Sequence, residues 1–162
     1  MKPYRLRKRT GVILTILLVL LDRFTKYQVE QSLPFHEVVE VFPFLAWYRT
    51  YNQGIAFSFL SGMNDVLLIV LTLAILLFVI WLWKNSDRWR WLARLGYALI
   101  TAGAVGNLFD RVFLGHVVDF ILFHIGNWSF AVFNLADVFI SVGAAAVILD
   151  ELLKGTSQKR ET

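Results

Sequence analysis

Two aspartates flanked by apolar residues are the groups in this sequence best suited to chemistry. Asp119 lies in "VVDFILF" (117–123), which we expect to belong to a short loop, and Asp137 lies in "FNLADVFISVG" (133–143), about seven residues inside an apolar run. Asn134, three residues before Asp137, is expected to share its helical face. If such a run crosses a membrane, an ionised aspartate inside it costs about 2.5–3.5 kcal/mol on insertion scales, so it normally faces neighbouring helices or a wet cavity. Two carboxyl groups that meet in a pocket of low dielectric constant cannot both ionise, and they share one proton.

Such a pair suits the hydrolysis of an amide bond. One carboxylate can take a proton from water while the other carboxyl protonates the carbonyl oxygen. Two other roles fit the same residues: a proton relay through Asp137 in a transporter or channel subunit, or a non-catalytic assembly protein. A relay predicts polar residues along a whole span, yet Ser141 is the only polar side chain in 138–149. The pattern favours a site near one membrane surface.

A further set of polar residues has the spacing of a helix face. In "GYALITAGAVGNLFDR" (96–111), Asn107, Asp110 and Arg111 have the spacing i, i+3 and i+4 and share one helix face. The alternative is that Asp110 and Arg111 merely mark the boundary with water. The same segment carries small residues that permit close helix packing in lipid: Gly96, Ala98, Ala102, Gly103, Ala104 and Gly106.

Other chemistries find little support. The chain has no cysteine and no HExxH motif, and His36, His116 and His124 lack helical metal-ligand spacing, so neither a metal nor another cofactor is expected. No serine lies in a GxSxG context. A Ser/Lys protease remains an alternative, but Lys26 is the one candidate base that the sequence offers near the polar motifs.

The elements that must position these residues are membrane helices. Hydrophobic residues make up 57% of the 162-residue chain and charged residues only 17%, which predicts an integral membrane protein. A single domain, 1–162, is expected to have spans at about 11–29, 66–83, 93–110 and 132–151. The first apolar stretch, 11–21, has the length of a cleaved signal, but no small-x-small site follows it, so we expect it to be retained as a span.

The basic residues predict the orientation of these spans. Twelve Lys and Arg lie in 1–10, in 84–94 and after 153, against two in the remaining loops, about 30–65 and 110–130. This asymmetry predicts cytoplasmic termini and polar motifs at the outer face. The net charge of +4 then needs no nucleic-acid partner, because anionic lipids face those residues.

The first outer loop has the composition of a sheet. "EVVEVFPFLAWYRTYN" (37–52) and "IAFSFL" (55–60) resemble short strands. Their aromatic side chains suit either an extended or lipidic ligand or simple anchoring at the interface.

Four blocks together resemble one family: "DRFTK" (22–26), "NQGIAFS" (52–58), "AGAVGNLFDR" (102–111) and "VVDFI…FNLADVFI" (117–140). In order and spacing, over roughly residues 12–150, they are similar to the lipoprotein signal peptidase (signal peptidase II, prolipoprotein signal peptidase) family. The resemblance implies an all-α integral membrane protein with four transmembrane helices, a small periplasmic β-cradle and a short periplasmic helix. It also implies the cell inner membrane, with the active site at the periplasmic face.

The resemblance further implies an aspartic endopeptidase without a cofactor. It would remove signal peptides by cutting on the N-terminal side of a cysteine that carries diacylglycerol. Its partners would be these prolipoproteins, membrane lipids and globomycin-type inhibitors. Carried over by motif, Asp119 and Asp137 would be catalytic. The positions for substrate binding or support of the dyad would be Asp22, Lys26, Asn52, Gly54, Ala56, Gly106, Asn107, Asp110, Arg111, Asn134 and Ala136.

Overall fold

The structure combines four helices with one small antiparallel sheet. It is a computed structural model that describes residues 8–53, 65–87, 89–126 and 128–158. In chain order the elements are α1 (Lys8–Ser32), β1 (Val38–Phe42), β2 (Leu45–Asn52), α2 (Asp65–Asn85), α3 (Trp91–Leu114), β3 (Val117–Ile125), β4 (Trp128–Phe133) and α4 (Leu135–Gln158). The expected short additional helix is not among the described residues, and the strand expected at 55–60 lies outside them.

Helix α3 lies at the centre of the bundle and packs on α1, α2 and α4. Its small residues explain the closest of these contacts. A Cβ added to Gly103 would lie 2.2 Å from the carbonyl oxygen of Ala136, and one added to Gly96 would lie 2.5 Å from that of Gly143. Any side chain would force α3 and α4 apart at these two points. The prediction that small residues permit close helix packing is therefore confirmed.

Among the described residues, two helices are long and apolar enough to cross a membrane, Val66–Asn85 and Trp91–Leu114. The outer surface of α2 consists of exposed apolar side chains such as Val66 and Leu77. A surface of this kind suits contact with lipid better than contact with water. α1 and α4 are helical where spans were predicted, but they carry more charged residues.

The four strands pair in the order β1-β2-β3-β4, each antiparallel to its neighbour. The prediction of strands within 37–52 is confirmed by β1 and β2. The expectation for Asp119 was wrong: it lies in the inner strand β3 rather than in a loop, opposite Thr50 of β2. Val117 to Phe120 are all buried, so the apolar run lacks the alternation that marks a strand with one exposed face.

The fourth helix begins later than predicted. The span was predicted to begin near residue 132, but residues up to Phe133 belong to the strand β4 (Trp128–Phe133), and α4 starts at Leu135. Asp137 therefore lies in the first helical turn and not seven residues inside a span. Asn134 precedes the helix. The expectation that it shares a helical face with Asp137 was therefore wrong.

Candidate active site

The start of α4 is held by reciprocal hydrogen bonds between Asn134 and Asp137. The backbone N–H of Asp137 donates to Oδ1 of Asn134 (3.1 Å), and the backbone N–H of Asn134 donates to Oδ2 of Asp137 (3.1 Å). Asparagine is a favoured residue at this N-cap position, and an acceptor three residues later completes a capping box. The backbone thereby fixes the orientation of the Asp137 carboxylate.

Asp119 is buried in the sheet and held by two amides. Nδ2 of Asn134 donates to its Oδ1 (2.6 Å), and Nδ2 of Asn52 donates to its Oδ2 (3.0 Å). Burial raises the pKa of Asp119 to about 6, and the negative charge of Asp137 acts in the same direction. The two donated hydrogen bonds lower this pKa in part, because they favour the ionised form. Asp119 therefore retains a proton closer to neutral pH than an ordinary aspartate.

Asn107 connects the carboxylates to α1. Its Oδ1 accepts hydrogen bonds from Nζ of Lys26 (3.0 Å) and Nδ2 of Asn134 (3.2 Å). With two donors on the oxygen, the Nδ2 of Asn107 faces Asp137 and donates to its Oδ1 (2.7 Å). Lys26 thus orients an amide that in turn holds Asp137.

A buried cluster of charged residues lies behind this amide. Nζ of Lys26 is 2.9 Å from Oδ2 of Asp22 and 2.7 Å from Oδ2 of Asp110, while Arg23 pairs with Oδ1 of Asp110. The two positive and two negative charges balance, which offsets the burial of Lys26, Asp22 and Asp110, while Arg23 is partly exposed. The cluster also reaches α4, because the backbone N–H of Ala136 donates to Oδ1 of Asp22 (3.0 Å).

Gly106 makes room for this cluster. A Cβ at this position would lie 2.5 Å from Oδ2 of Asp22. The absence of a side chain lets α1 place Asp22 against α3 and beside the start of α4.

One cavity of about 810 Å³ contains both carboxylates in its wall. Its other polar lining residues are Asn52, Asn107, Arg111 and Ser141, and apolar residues of β3, β4 and α4 complete the wall. A volume in this range accommodates a ligand of moderate size. An amide bond placed between Asp119 and Asp137 would have a proton donor and a proton acceptor within the same cavity.

The structure brings together every predicted site residue that it describes. α1 supplies Asp22 and Lys26, β2 supplies Asn52, α3 supplies 106–111, β3 supplies Asp119, and 134–137 contribute the remainder. Gly54 and Ala56 lie outside the described residues. Asp110 is fully buried, so the alternative that it marks the water boundary is wrong.

Two residues of the site were missed by the sequence analysis. Arg23 is adjacent to Asp22 in sequence and so points to a different helix face, which gave no sign that it reaches Asp110. Ser141 lines the cavity four residues after Asp137, a helical spacing that could have revealed it.

Comparison with known proteins identifies the family. The family model described as signal peptidase (SPase) II matches residues 14–153. A lipoprotein signal peptidase of Sinorhizobium fredii is 57% identical over 144 residues, covering 88% of this chain and 87% of that protein. One of Allorhizobium ampelinum is 51% identical over 143 residues, covering 88% of each chain.

Solved structures agree with this match. One described as "Bacterial membrane enzyme structure by the in meso method at 2.3 A resolution" has a TM-score of 0.85 and 31% identity, covering 100% of this chain and 98% of that one. A second, solved at 1.9 Å, has a TM-score of 0.81 and 27% identity, covering 94% and 98%. The fold is therefore that of a membrane enzyme. The chain belongs to the signal peptidase II family, a family of proteases.

Proposed function

We propose that this protein is an aspartic endopeptidase that removes the signal peptide from prolipoproteins whose cysteine carries diacylglycerol. The cut falls on the N-terminal side of that cysteine. The observation that carries the proposal is that Asn134 hydrogen-bonds to both Asp119 and Asp137 at the wall of one cavity. This arrangement favours a peptidase over a proton relay or an assembly role, because the polar residues converge on one end of the bundle.

In the proposed mechanism Asp119 is the acid and Asp137 is the base. The raised pKa of Asp119 supports its role as the carboxyl that holds the shared proton. Asp137 takes a proton from water, the water oxygen attacks the carbonyl carbon, and Asp119 protonates the carbonyl oxygen. The proton held by Asp137 then passes to the leaving nitrogen as the C–N bond breaks, and one hydroxyl of the intermediate returns a proton to Asp119 as the carbonyl re-forms. The products are a signal peptide with a new carboxylate and a lipoprotein with a free amino group.

The remaining polar groups of the cavity have supporting roles in this proposal. Asn52, Asn107 and Asn134 orient the carboxylates, and the guanidinium of Arg111 binds the substrate backbone. Asp22, Lys26 and Asp110 fix the position of Asn107 and of the first turn of α4, where Ala136 packs against Gly106. Gly54 and Ala56 belong to the same proposed site on the motif resemblance alone.

The proposed setting is the inner membrane, with four spans, cytoplasmic termini and the cavity at the periplasmic face. Twelve Lys and Arg lie in the segments assigned to the cytoplasm, against two in the loops assigned to the periplasm, and this asymmetry supports the orientation. The sheet then lies at the outer surface as a cradle for the extended peptide, while the diacylglycerol remains in the lipid. Globomycin-type inhibitors would occupy the same cavity.

The test measures cleavage of a diacylglyceryl prolipoprotein by purified protein in detergent micelles. Asp119→Asn and Asp137→Asn should each lower kcat by at least about 10²-fold, since each removes one group that transfers a proton. Asp87→Asn is the matched control, because Asp87 is exposed and accepts a hydrogen bond from the backbone of Trp89 away from the cavity. Full activity of either dyad variant, with the control also active, would contradict the proposal.

A further inference from the structure

A groove opens at the end of the bundle opposite the carboxylates. α1 and α2 both pack on α3, so α3 forms the floor between them. Val12 and Ile16 of α1 face Ile80 and Trp83 of α2 across a cavity of about 560 Å³. Val12 and Ile16 are more than half exposed, so the groove is open along its side.

Trp83 closes one end of this groove. A Cβ added to Gly11 of α1 would lie 2.5 Å from Cζ2 of Trp83. The indole therefore fills the space that the glycine leaves, and α1 and α2 approach each other there. The cavity is an apolar slot with one closed end and an open side, which suits a flexible hydrocarbon chain.

Two cations line the same groove. Arg94 of α3 is 2% exposed, and Lys84 lies at the last turn of α2. Of the acids at this end, Asp150 and Glu151 are bound by Arg90 at 2.7 Å each. No carboxylate is among the lining residues in the part of the chain that the structure describes. The groove therefore combines apolar walls with net positive charge.

A neutral polar group lies deeper on the same floor. The hydroxyl of Thr101 is buried in the wall and has no hydrogen-bond partner among the described residues. A buried hydroxyl without a partner costs free energy unless a ligand oxygen satisfies it. It points to a ligand that has polar atoms beyond its charged group, such as the ester oxygens of a glycerolipid.

We propose that this groove binds one anionic glycerophospholipid. Its phosphate lies at Lys84 and Arg94, its ester region at Thr101, and one acyl chain between Ile16 and Ile80. Charge complementarity selects an anionic headgroup over a zwitterionic one. The site is separate from the proposed peptidase cavity, since the two cavities have no lining residue in common.

The experiment titrates the delipidated full chain with phosphatidylglycerol or phosphatidylcholine in neutral detergent and counts bound lipid by native mass spectrometry. Phosphatidylglycerol should bind at least about tenfold more tightly, because two cations face its headgroup. Ile16→Trp should abolish this binding by filling the groove. Leu17→Trp is the matched control, since Leu17 is equally exposed on α1 but does not line the groove.

A charge variant provides a second, independent result. Lys84→Gln should remove most of the preference for phosphatidylglycerol, whereas Lys154→Gln, at an exposed lysine on α4, should retain it. Both lysines are exposed, so these variants test the groove even if Ile16→Trp unfolds. Equal affinity for the two lipids, or equal binding by Ile16→Trp and Leu17→Trp, would overturn the proposal. An unchanged preference in Lys84→Gln would overturn it as well.

Discussion

Asn134 is the residue on which both candidate carboxylates depend. Its Nδ2 donates to Asp119, while its Oδ1 and backbone N–H hold Asp137. Aspartate or serine would also cap a helix at this position. An ionised aspartate has no hydrogen to donate, and a single serine hydroxyl is too short to serve both partners. The requirement for a donor and an acceptor on one short side chain explains asparagine here.

The pH dependence of cleavage should report the proton shared by the carboxyls. Above the pKa of Asp119, near 6, this proton is lost, so kcat/KM should fall as the pH rises. Asn52→Ala removes a hydrogen bond that favours ionised Asp119, and so should raise this pKa. The alkaline limb should then move upward by about one pH unit, as expected for a hydrogen bond to a charged group. The measurement is kcat/KM from pH 4 to 9.

Asn85→Ala serves as the control for this shift. Asn85 donates to the carbonyl of Trp81 at the far end of α2, so its loss should leave the pH profile unchanged. An alkaline limb that stays in place or moves downward in Asn52→Ala would contradict the role assigned to Asp119.

At the residue scale, the sequence was sufficient to locate the carboxylates but not their setting. Asp119 and Asp137 stand out because charge is costly among apolar neighbours. Asn107, which donates a hydrogen bond to Asp137, could be grouped with them from its helical spacing and motif. The reach of Arg23 to Asp110 depends on how α1 and α3 pack, and no spacing within either helix contains that information.

At the element scale, the helices and the first two strands were predictable, but β3 and β4 were not. α2 is a continuous apolar segment of span length, and α1 and α3 follow from similar runs. β3 was missed because an apolar run buried on both faces has no period of two. The apolar residues of β4 continue into those of α4, so hydropathy placed both in one span. Asn134 was the boundary signal that hydropathy obscured.

A change in the packing of α3 on α4 should lower the activity only when it lies near Asp137. Gly103→Ala would press a methyl group against the backbone of Ala136, next to Asp137. Gly96→Ala would do the same against Gly143, at the opposite end. Both variants should lose about 1–3 kcal/mol of stability from overpacking. Only Gly103→Ala should also lose activity per folded molecule, because it displaces the first turn of α4.

Thermal unfolding and single-turnover cleavage separate these two effects. Gly96→Ala corrects for the general cost of pushing the helices apart. If both variants lost the same specific activity, the proposed link from Gly103 through α4 to Asp137 would be wrong.

At the scale of the whole molecule, the site lies where the helix bundle meets the sheet. The cavity has residues of β4 on one side and Ser141 and Val142 of α4 on the other. A substrate held by an acyl anchor would present its peptide at this junction at high effective concentration.

The lipid on the substrate should therefore matter more than the peptide sequence around it. A prolipoprotein that lacks diacylglycerol should show kcat/KM lower by at least about 10²-fold, in line with the gain expected from tethering. The comparison uses the same precursor before and after lipidation, in identical micelles. A soluble peptide spanning the cleavage site serves as a second unanchored substrate, and equal turnover of all three forms would exclude a role for the anchor.

The hydrogen bond from Ala136 to Asp22 joins residues 114 positions apart in the sequence. Asp119 likewise needs Asn52 from the first part of the chain and Asn134 from the last. During synthesis, no partial chain that ends before α4 can assemble the two carboxylates. In the proposed mechanism, the order in which the ribosome releases the chain thus delays hydrolysis until the final helix has joined the bundle.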